Sequence, residues 1–359
     1  MYCWQELYYQ RSFLLGGTIF EVGYGILSVT LQAHYNKRLH WMFTSRRTFL
    51  LSTAVAPWMS SFAARVTPRI LRFGVISDVH QDVMHDGIER ISQFVASMRD
   101  AQVDFILQLG DFCQPHPRNR PFLDAWNSFD GPKYHVLGNH DMDGGYAREK
   151  TVEFYGMPHR YYTFDSANLR GIVLDTNDPG GTAKGYKKFI GIDQQQWLQK
   201  QLSESDRPVC VFLHHPLDDP NGIENRKELR EILTAAENAK PGLIVGVFSG
   251  HFHQDYTLLS EKIRYIQINS ASYVWLGGNS TQETYPAEVH KKHPSLISVA
   301  AYEDPLWAVV QIDFEKGELT IEGKSTRWHG PTPWERGASQ TDYPSDKNRP
   351  AISSASLKL

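Results

Sequence analysis

Five short groups of residues in this chain carry atoms able to hold metal ions: Asp78-Val79-His80, Gly110-Asp111, Gly138-Asn139-His140-Asp141, His214-His215-Pro216 and Gly250-His251-Phe252-His253. Carboxylate, imidazole and amide oxygen are hard-to-borderline donors, suited to Mn, Fe or Zn rather than to copper or a cluster. Extended backbone sends residues i and i+2 to the same side. Asp78 and His80 can therefore grip one ion, and His251 and His253 can both reach the same centre. Asp111 has two carboxylate oxygens and can bridge two ions, offsetting their repulsion. Glycine at 110, 138 and 250 lets the chain turn sharply beside a crowded cation. Each group alone is commonplace; five in order point to one centre.

The elements that must position these groups alternate. Arg72–Ser77, Val103–Leu109 and Lys133–Leu137 read as β-strands, followed by Leu169–Asp175, Val209–Leu213 and Leu243–Ser249. Asp86–Asp100 reads as an amphipathic helix with Ile88, Ile91, Phe94, Val95 and Met98 on one stripe. Further helices are expected at Asp193–Ser203 and Glu224–Glu237. Ile263–Asn269, Ala308–Phe314 and Glu318–Gly323 read as antiparallel β-structure, and the polar, Pro- and Ser-rich stretch 330–359 as a loosely held tail. Such alternation implies an α/β domain, whose ligands collect beyond the carboxyl ends of strands. Every one of the five groups follows an expected strand.

In this order the motifs D-x-H, G-D, G-N-H-D, H and G-H-x-H resemble the signature of calcineurin-like metallophosphoesterases, over roughly residues 70–325. The resemblance implies an α/β fold of two packed mixed β-sheets flanked by helices, an αββα sandwich. It implies two divalent or mixed-valence metal ions (Mn, Fe or Zn), with Asp78, His80, Asp111 and His253 on one and Asp111, Asn139, His214 and His251 on the other. Family members commonly place the ligand two residues before the proline, which selects His214 over His215. His140 becomes the unligated imidazole near the leaving group, with Asp141 either orienting it or capping the turn. The implied chemistry is hydrolysis of a phosphate ester by a metal-bridging hydroxide, since two neighbouring cations lower the pKa of a shared water from 15.7 toward roughly 7. A phosphodiesterase is expected ahead of a phosphomonoesterase or a silent binding module of the same fold. Gln114 stands where purple acid phosphatases carry a metal-binding Tyr, and Asp141 where they carry Glu. His214-His215-Pro216 and Gln196-Trp197-Leu198 bring the likeness nearer to bacterial cyclic-nucleotide and glycerophosphodiester phosphodiesterases.

Specificity is expected in the loops 81–86, 114–120 and 142–146. His85 and His116 read as solvated loop histidines rather than further ligands, and Arg118 and Arg120 as solvated rather than phosphate-binding. The irregular stretch 271–307 carries Tyr273, Trp275, Tyr285, Tyr302 and Trp307, which either stack on a substrate or pack the insertion down; packing is the expectation.

The formal charge of −3 over 359 residues gives no basic footprint for nucleic acid. Three cysteines rule out a disulfide scaffold and a thiolate zinc site, and Cys113 and Cys210 are poorly offset for a bridge. Ser45-Arg46-Arg47-Thr48-Phe49-Leu50, then an uncharged run to Phe62, resembles a twin-arginine (Tat) export signal. Pro57 and the run's length argue against a membrane span. Residues 42–63 are thus expected to be a signal peptide that engages the Tat export machinery, with translation starting at Met42 and 1–41 an untranslated or non-native extension. An exported, periplasmic or extracellular enzyme acting on a small phosphate ester follows, and the part beyond residue 63 carries 32 Lys and Arg against 38 Asp and Glu.

Overall fold

A computed structural model describes residues 13–15, 18–20 and 70–359. Met1–Ala63 and Ala64–Leu359 form separate units. In the first, β1 (Phe13–Leu15) pairs antiparallel with β2 (Thr18–Phe20); the export segment 42–63 lies outside the described residues.

The second unit holds two six-stranded mixed sheets. One is built from β3 (Ile70–Ile76), β4 (Phe105–Gln108), β5 (Lys133–His135), β14 (Ala308–Asp313), β15 (Glu318–Glu322) and β16 (Ala355–Lys358), in the order β16-β15-β14-β3-β4-β5. The other is built from β6 (Tyr162–Ser166), β7 (Leu169–Val173), β8 (Val209–Phe212), β9 (Ile244–Ser249), β10 (Tyr256–Ser260) and β11 (Ile263–Gln267), in the order β10-β11-β9-β8-β7-β6. A short pair, β12 (Tyr273–Trp275) with β13 (Val299–Ala301), stands apart. The helices are α1 (Gly87–Asp100), α2 (Arg120–Asn127), α3 (Arg148–Tyr155), α4 (Ile192–Glu204), α5 (Arg226–Ala239) and α6 (Ala287–Lys292). Strands β3, β4 and β5 run parallel, as do β7, β8, β9 and β11. This is the expected arrangement of two mixed sheets flanked by helices.

Alternation along β8 explains the layering. Cys210 and Phe212 point into the core between the sheets, while Val209, Val211 and Leu213 pack with Leu198, Leu202, Leu229 and Leu233 of α4 and α5. The sheets meet through phenylalanines: Phe73 lies 5.9 Å from Phe212 and 5.7 Å from Phe248, ring centre to ring centre. On the opposite face Gly74 lets α1 close in, since a Cβ there would stand 2.2 Å from Met98 Sδ. The stripe Ile91, Phe94, Val95 and Met98 is buried, whereas Ile88 is exposed. Cys113 and Cys210 are buried free thiols.

The segment beyond Gly330 departs from expectation. It folds back on the domain: β16 extends the first sheet beyond β15, Ile352 and Asn348 are buried, and the Arg336 guanidinium donates to the carbonyls of Ser280, Ile297 and Val299. Apart from the β16 ladder these anchors are polar side chains bonded to main-chain carbonyls, which leave no hydrophobic periodicity to read. Among the described residues no helix is long and apolar enough to cross a membrane.

Candidate metal centre

The five groups converge at the carboxyl ends of the central strands. Loops after β3 and β4 clamp one another, with Asp78 N donating to Gly110 O (3.1 Å) and His80 N to Asp111 O (2.9 Å). Asp78, His80, Asp111, His251 and His253 all hold positive φ, between 51° and 74°. Residues other than glycine enter this region at a cost of about 1–3 kcal/mol each, so strain is concentrated on the candidate ligands. The glycines serve close approach: a Cβ on Gly138 would meet Asp111 N at 2.1 Å, and one on Gly250 would meet Ser77 Oγ at 2.0 Å.

Two donor groups share Asp111. In the first, His80 Nε2 and His253 Nε2 are 3.2 Å apart, and Asp78 Oδ1 lies 3.3 Å from His253 Nε2. In the second, His214 Nε2 is 3.2 Å from Asn139 Oδ1 and 3.2 Å from Asp111 Oδ2. Asp111 Oδ2 also stands 3.6 Å from His80 Nε2, while Oδ1 accepts from His140 N at 2.8 Å. One oxygen therefore faces both groups. The His251 ring lies 5.0 Å from His214 and 4.2 Å from His215. The donor atoms of Asp78, His80 and His253 fall within 4.8 Å of one another, as do those of Asp78, Asp111 and His214, and those of His214, His215 and His251.

The donor chemistry fits cations. Asp78 Oδ1 is buried with no hydrogen-bond partner, while Oδ2 is engaged by Ser77 Oγ and His251 N. His214 Nδ1 and His253 Nδ1 lie 2.8 Å and 2.7 Å from the carbonyls of Leu109 and Tyr273. A carbonyl only accepts, so each Nδ1 carries a proton and each Nε2 faces the centre. Burial would lower the His214 imidazole, but the Asp111 carboxylate raises it to about 9, so a cation bound there would displace the proton on its Nε2. Burial drives the His80 imidazole down to about 3 and those of His215 and His251 well below their usual range, which keeps all three neutral. Burial alone would raise the Asp111 carboxyl, but the charge and hydrogen bond of His214 hold it well below the usual range. Every residue expected to ligate is present at the centre.

Of the two roles open to Asp141, the contacts match capping rather than orienting His140: its carboxylate accepts from Phe112 N (2.6 Å) and Gly138 N (2.8 Å), stapling the second and third loops beneath the centre. Burial and the Asp111 charge push it up to about 7. The partner of His140 is Asp143, whose Oδ2 lies 2.6 Å from His140 Nδ1. Tyr186 completes the group, its hydroxyl 2.9 Å from Asp143 Oδ1 and 3.1 Å from His140 Nδ1. Burial would lower the His140 pKa, but the Asp143 hydrogen bond and the Asp111 charge raise it to about 8. Asp143 was within reach of sequence reasoning, because a 3₁₀ turn (His140–Met142) eclipses positions i and i+3. Tyr186, on a distant loop, gave no signal.

His215 sits at the rim of the second group, with Nδ1 2.6 Å from Thr176 Oγ1 and Nε2 buried without a partner. His85 lies against Tyr285, and His116 Nδ1 accepts from Arg118 N. Arg118 pairs with Asp82, and Arg120 lies over Phe154; none of the four lines the main cavity. That cavity, about 680 Å³, opens over the centre and is lined by His80, Asp111, Asn139, His140, His251 and His253, then by Tyr186, Trp275, Asp342 and Tyr343 among others. Of the 271–307 aromatics, Tyr273 and Tyr302 are buried as expected, but Trp275 is 47% exposed at the cavity wall.

Comparison with known proteins agrees with this geometry. A family model described as calcineurin-like phosphoesterase matches residues 71–255. A protein of Fibrobacter succinogenes named "Probable cyclic nucleotide phosphodiesterase" is 26% identical over 225 residues, 55% of this chain and 79% of its own length. The "Manganese-dependent ADP-ribose/CDP-alcohol diphosphatase" of Oryza sativa subsp. japonica is 25% identical over 164 residues, 38% of this chain and 51% of its own. A dimetal phosphatase from Danio rerio superposes with a TM-score of 0.50 at 16% identity, over 70% of this chain and 95% of that one, a likeness of fold.

Proposed function

Because this chain belongs to the calcineurin-like phosphoesterase family and is a metal-dependent hydrolase of phosphoric esters, we propose that its substrate is a phosphodiester and that it works outside the cytoplasm. The charge of the cavity carries the diester reading: among the described residues no cationic side chain other than histidine lines it. A monoester brings close to two negative charges at neutral pH and a diester one, so the diester asks less of a wall without Lys or Arg. The name of the Fibrobacter relative supports the same reading.

Asp78, His80, Asp111 and His253 are assigned to one cation, and Asp111, Asn139, His214 and His251 to the other. Bound there, cations of the Mn, Fe or Zn type supply activated water and neutralise phosphate oxygens. The protein adds a proton donor. Asp143 and Tyr186 occupy Nδ1 of His140, leaving Nε2 as the nitrogen that can donate to a departing oxygen.

Hydrolysis of bis(p-nitrophenyl) phosphate against p-nitrophenyl phosphate with added Mn²⁺, alongside metal analysis, tests the reading. Turnover of the diester with little of the monoester is expected. Preference for the monoester would make the protein a phosphatase, and no turnover with a full complement of metal would make it a binding module. Export rests on Arg46, Arg47 and the uncharged run to Phe62. Cell fractionation with mass analysis of the mature N-terminus tests it; cytoplasmic protein retaining residues 42–63 would overturn it.

A further inference from the structure

The family match ends at Asp255, yet much of the cavity wall comes from later residues: Tyr273, Trp275, Asp342, Tyr343 and Asn348. This wall starts at the metal centre. The Tyr273 ring stands 5.0 Å from both His80 and His253, and its carbonyl holds His253 Nδ1. Trp275 follows two residues later on β12, its ring 6.4 Å from that of Tyr273 and half exposed. The C-terminal segment is fastened alongside, with Asp255 N donating to Lys347 O at 3.0 Å and Asn348 Nδ2 to His253 O at 3.4 Å. His140 and Tyr186, with ring centres 4.7 Å apart and planes tilted by 56°, occupy the leaving-group side.

We propose that Trp275, Tyr273, Tyr343 and Asp342 form a subsite for the non-leaving arm of the diester, and that this arm carries no negative charge and presents a flat or quaternary-ammonium face to Trp275. The inference rests on the phosphodiester reading. Aromatic faces attract cations and stack on flat neutral rings. Asp342 adds a carboxylate that favours positive charge and repels a second phosphate, and among the described residues no Lys or Arg offsets it on the wall. A diphosphate such as ADP-ribose, taken by the rice relative according to its name, places a phosphate where this wall offers aromatic rings, a carboxylate and the neutral side chains of Gln254, Ser295 and Asn348.

The test uses the Mn²⁺-loaded full chain and three substrates: p-nitrophenyl phosphorylcholine, methyl p-nitrophenyl phosphate, whose arm is too small to reach the wall, and ADP-ribose. The choline ester is expected to exceed the methyl ester in kcat/KM by about tenfold, the size of one aromatic contact, with ADP-ribose lowest. Trp275→Ala should reduce the choline-to-methyl ratio at least about fivefold, and Asp342→Asn should reduce it less. Calorimetric titration of phosphocholine into wild-type and Trp275→Ala protein reads the same contact without turnover, and weaker binding by the variant is expected. A ratio near one, an unchanged ratio or affinity in Trp275→Ala, or preference for ADP-ribose would overturn the subsite while leaving the phosphodiesterase standing. Failure of all three substrates and of bis(p-nitrophenyl) phosphate at full metal content would instead overturn the phosphodiester reading beneath it.

Discussion

Three neighbouring side chains, His140, Asp141 and Asp143, divide their labour by where each points. His140 has one nitrogen on Asp143 and Tyr186 and the other free; Asp141 turns away and takes two backbone N–H groups. His140→Ala is therefore expected to lower kcat on an alkyl phosphodiester by roughly 10²-fold, the range of general-acid catalysis, and much less on a nitrophenyl ester, whose leaving group needs no proton. Equal loss on both would remove the acid role. Asp143→Asn should reproduce the alkyl defect in milder form, about tenfold, because the carboxylate orients the imidazole and stabilises its charge. Asp141→Asn should do something different. It sets an amide where two N–H groups converge, costing about 1–3 kcal/mol in urea denaturation, and a wild-type unfolding midpoint would argue against the staple.

At the level of elements, β5 carries a test that does not touch the metal groups. His135 at its end is buried, lies against Tyr155, Trp126 and Phe112, and has Nδ1 3.1 Å from Gln108 Nε2. Burial, helped slightly by Lys133, lowers its pKa from 6.5 to about 3. Between those values the unfolded chain binds a proton that the folded one refuses, so stability falls as pH drops below 6.5, by up to about 1.4 kcal/mol per pH unit from this group. His135→Phe removes the group while Gln108 Nε2 keeps Val136 O. The stability advantage of the wild type over the variant should therefore shrink from pH 7 to pH 5; a constant difference would show that His135 is not the source. The elements themselves were unevenly legible. Strands β3, β4, β8 and β9 announced themselves because each is a buried apolar run closed by Gly, Asp or His. Helix α2 buries Phe122, Leu123 and Trp126 but is only 8 residues long, too short for its period to stand out, and the half-exposed α3 carries too little apolar periodicity to be read. β10 is largely exposed and reads as surface. The site was more legible than the fold around it, since ligand types at strand ends are a local signal. Trp275 and Tyr186 acquire their roles only through which loop lies across which.

Across the whole molecule, the C-terminal segment links stability to the cavity. Asp255 lies two residues beyond His253 and is buried. Its carboxylate accepts from Ser353 N at 3.0 Å, Ser353 Oγ at 2.7 Å and Arg349 Nη2 at 2.8 Å. The neighbouring Asn269 Nδ2 donates to the carbonyls of Arg349 and Ala351. The segment thus arrives at the ligand loop on a set of polar bonds, and Asp342 and Tyr343 are carried into the wall as a consequence. Asp255→Ala leaves the donors of Ser353 without their acceptor, while Arg349, partly exposed, can return to water. Stability should fall by about 1–3 kcal/mol. If the segment is held chiefly here, the loss should be local as well as global: limited proteolysis should cut within 330–350 before the rest of the domain opens. KM for a diester with a large arm should rise more than that for methyl p-nitrophenyl phosphate. Asp255→Asn keeps an acceptor for Ser353 and should recover part of both effects. Wild-type resistance to protease together with an unaltered KM in Asp255→Ala would mean that the wall stands without this anchor, and that Arg336 and β16 suffice to hold it.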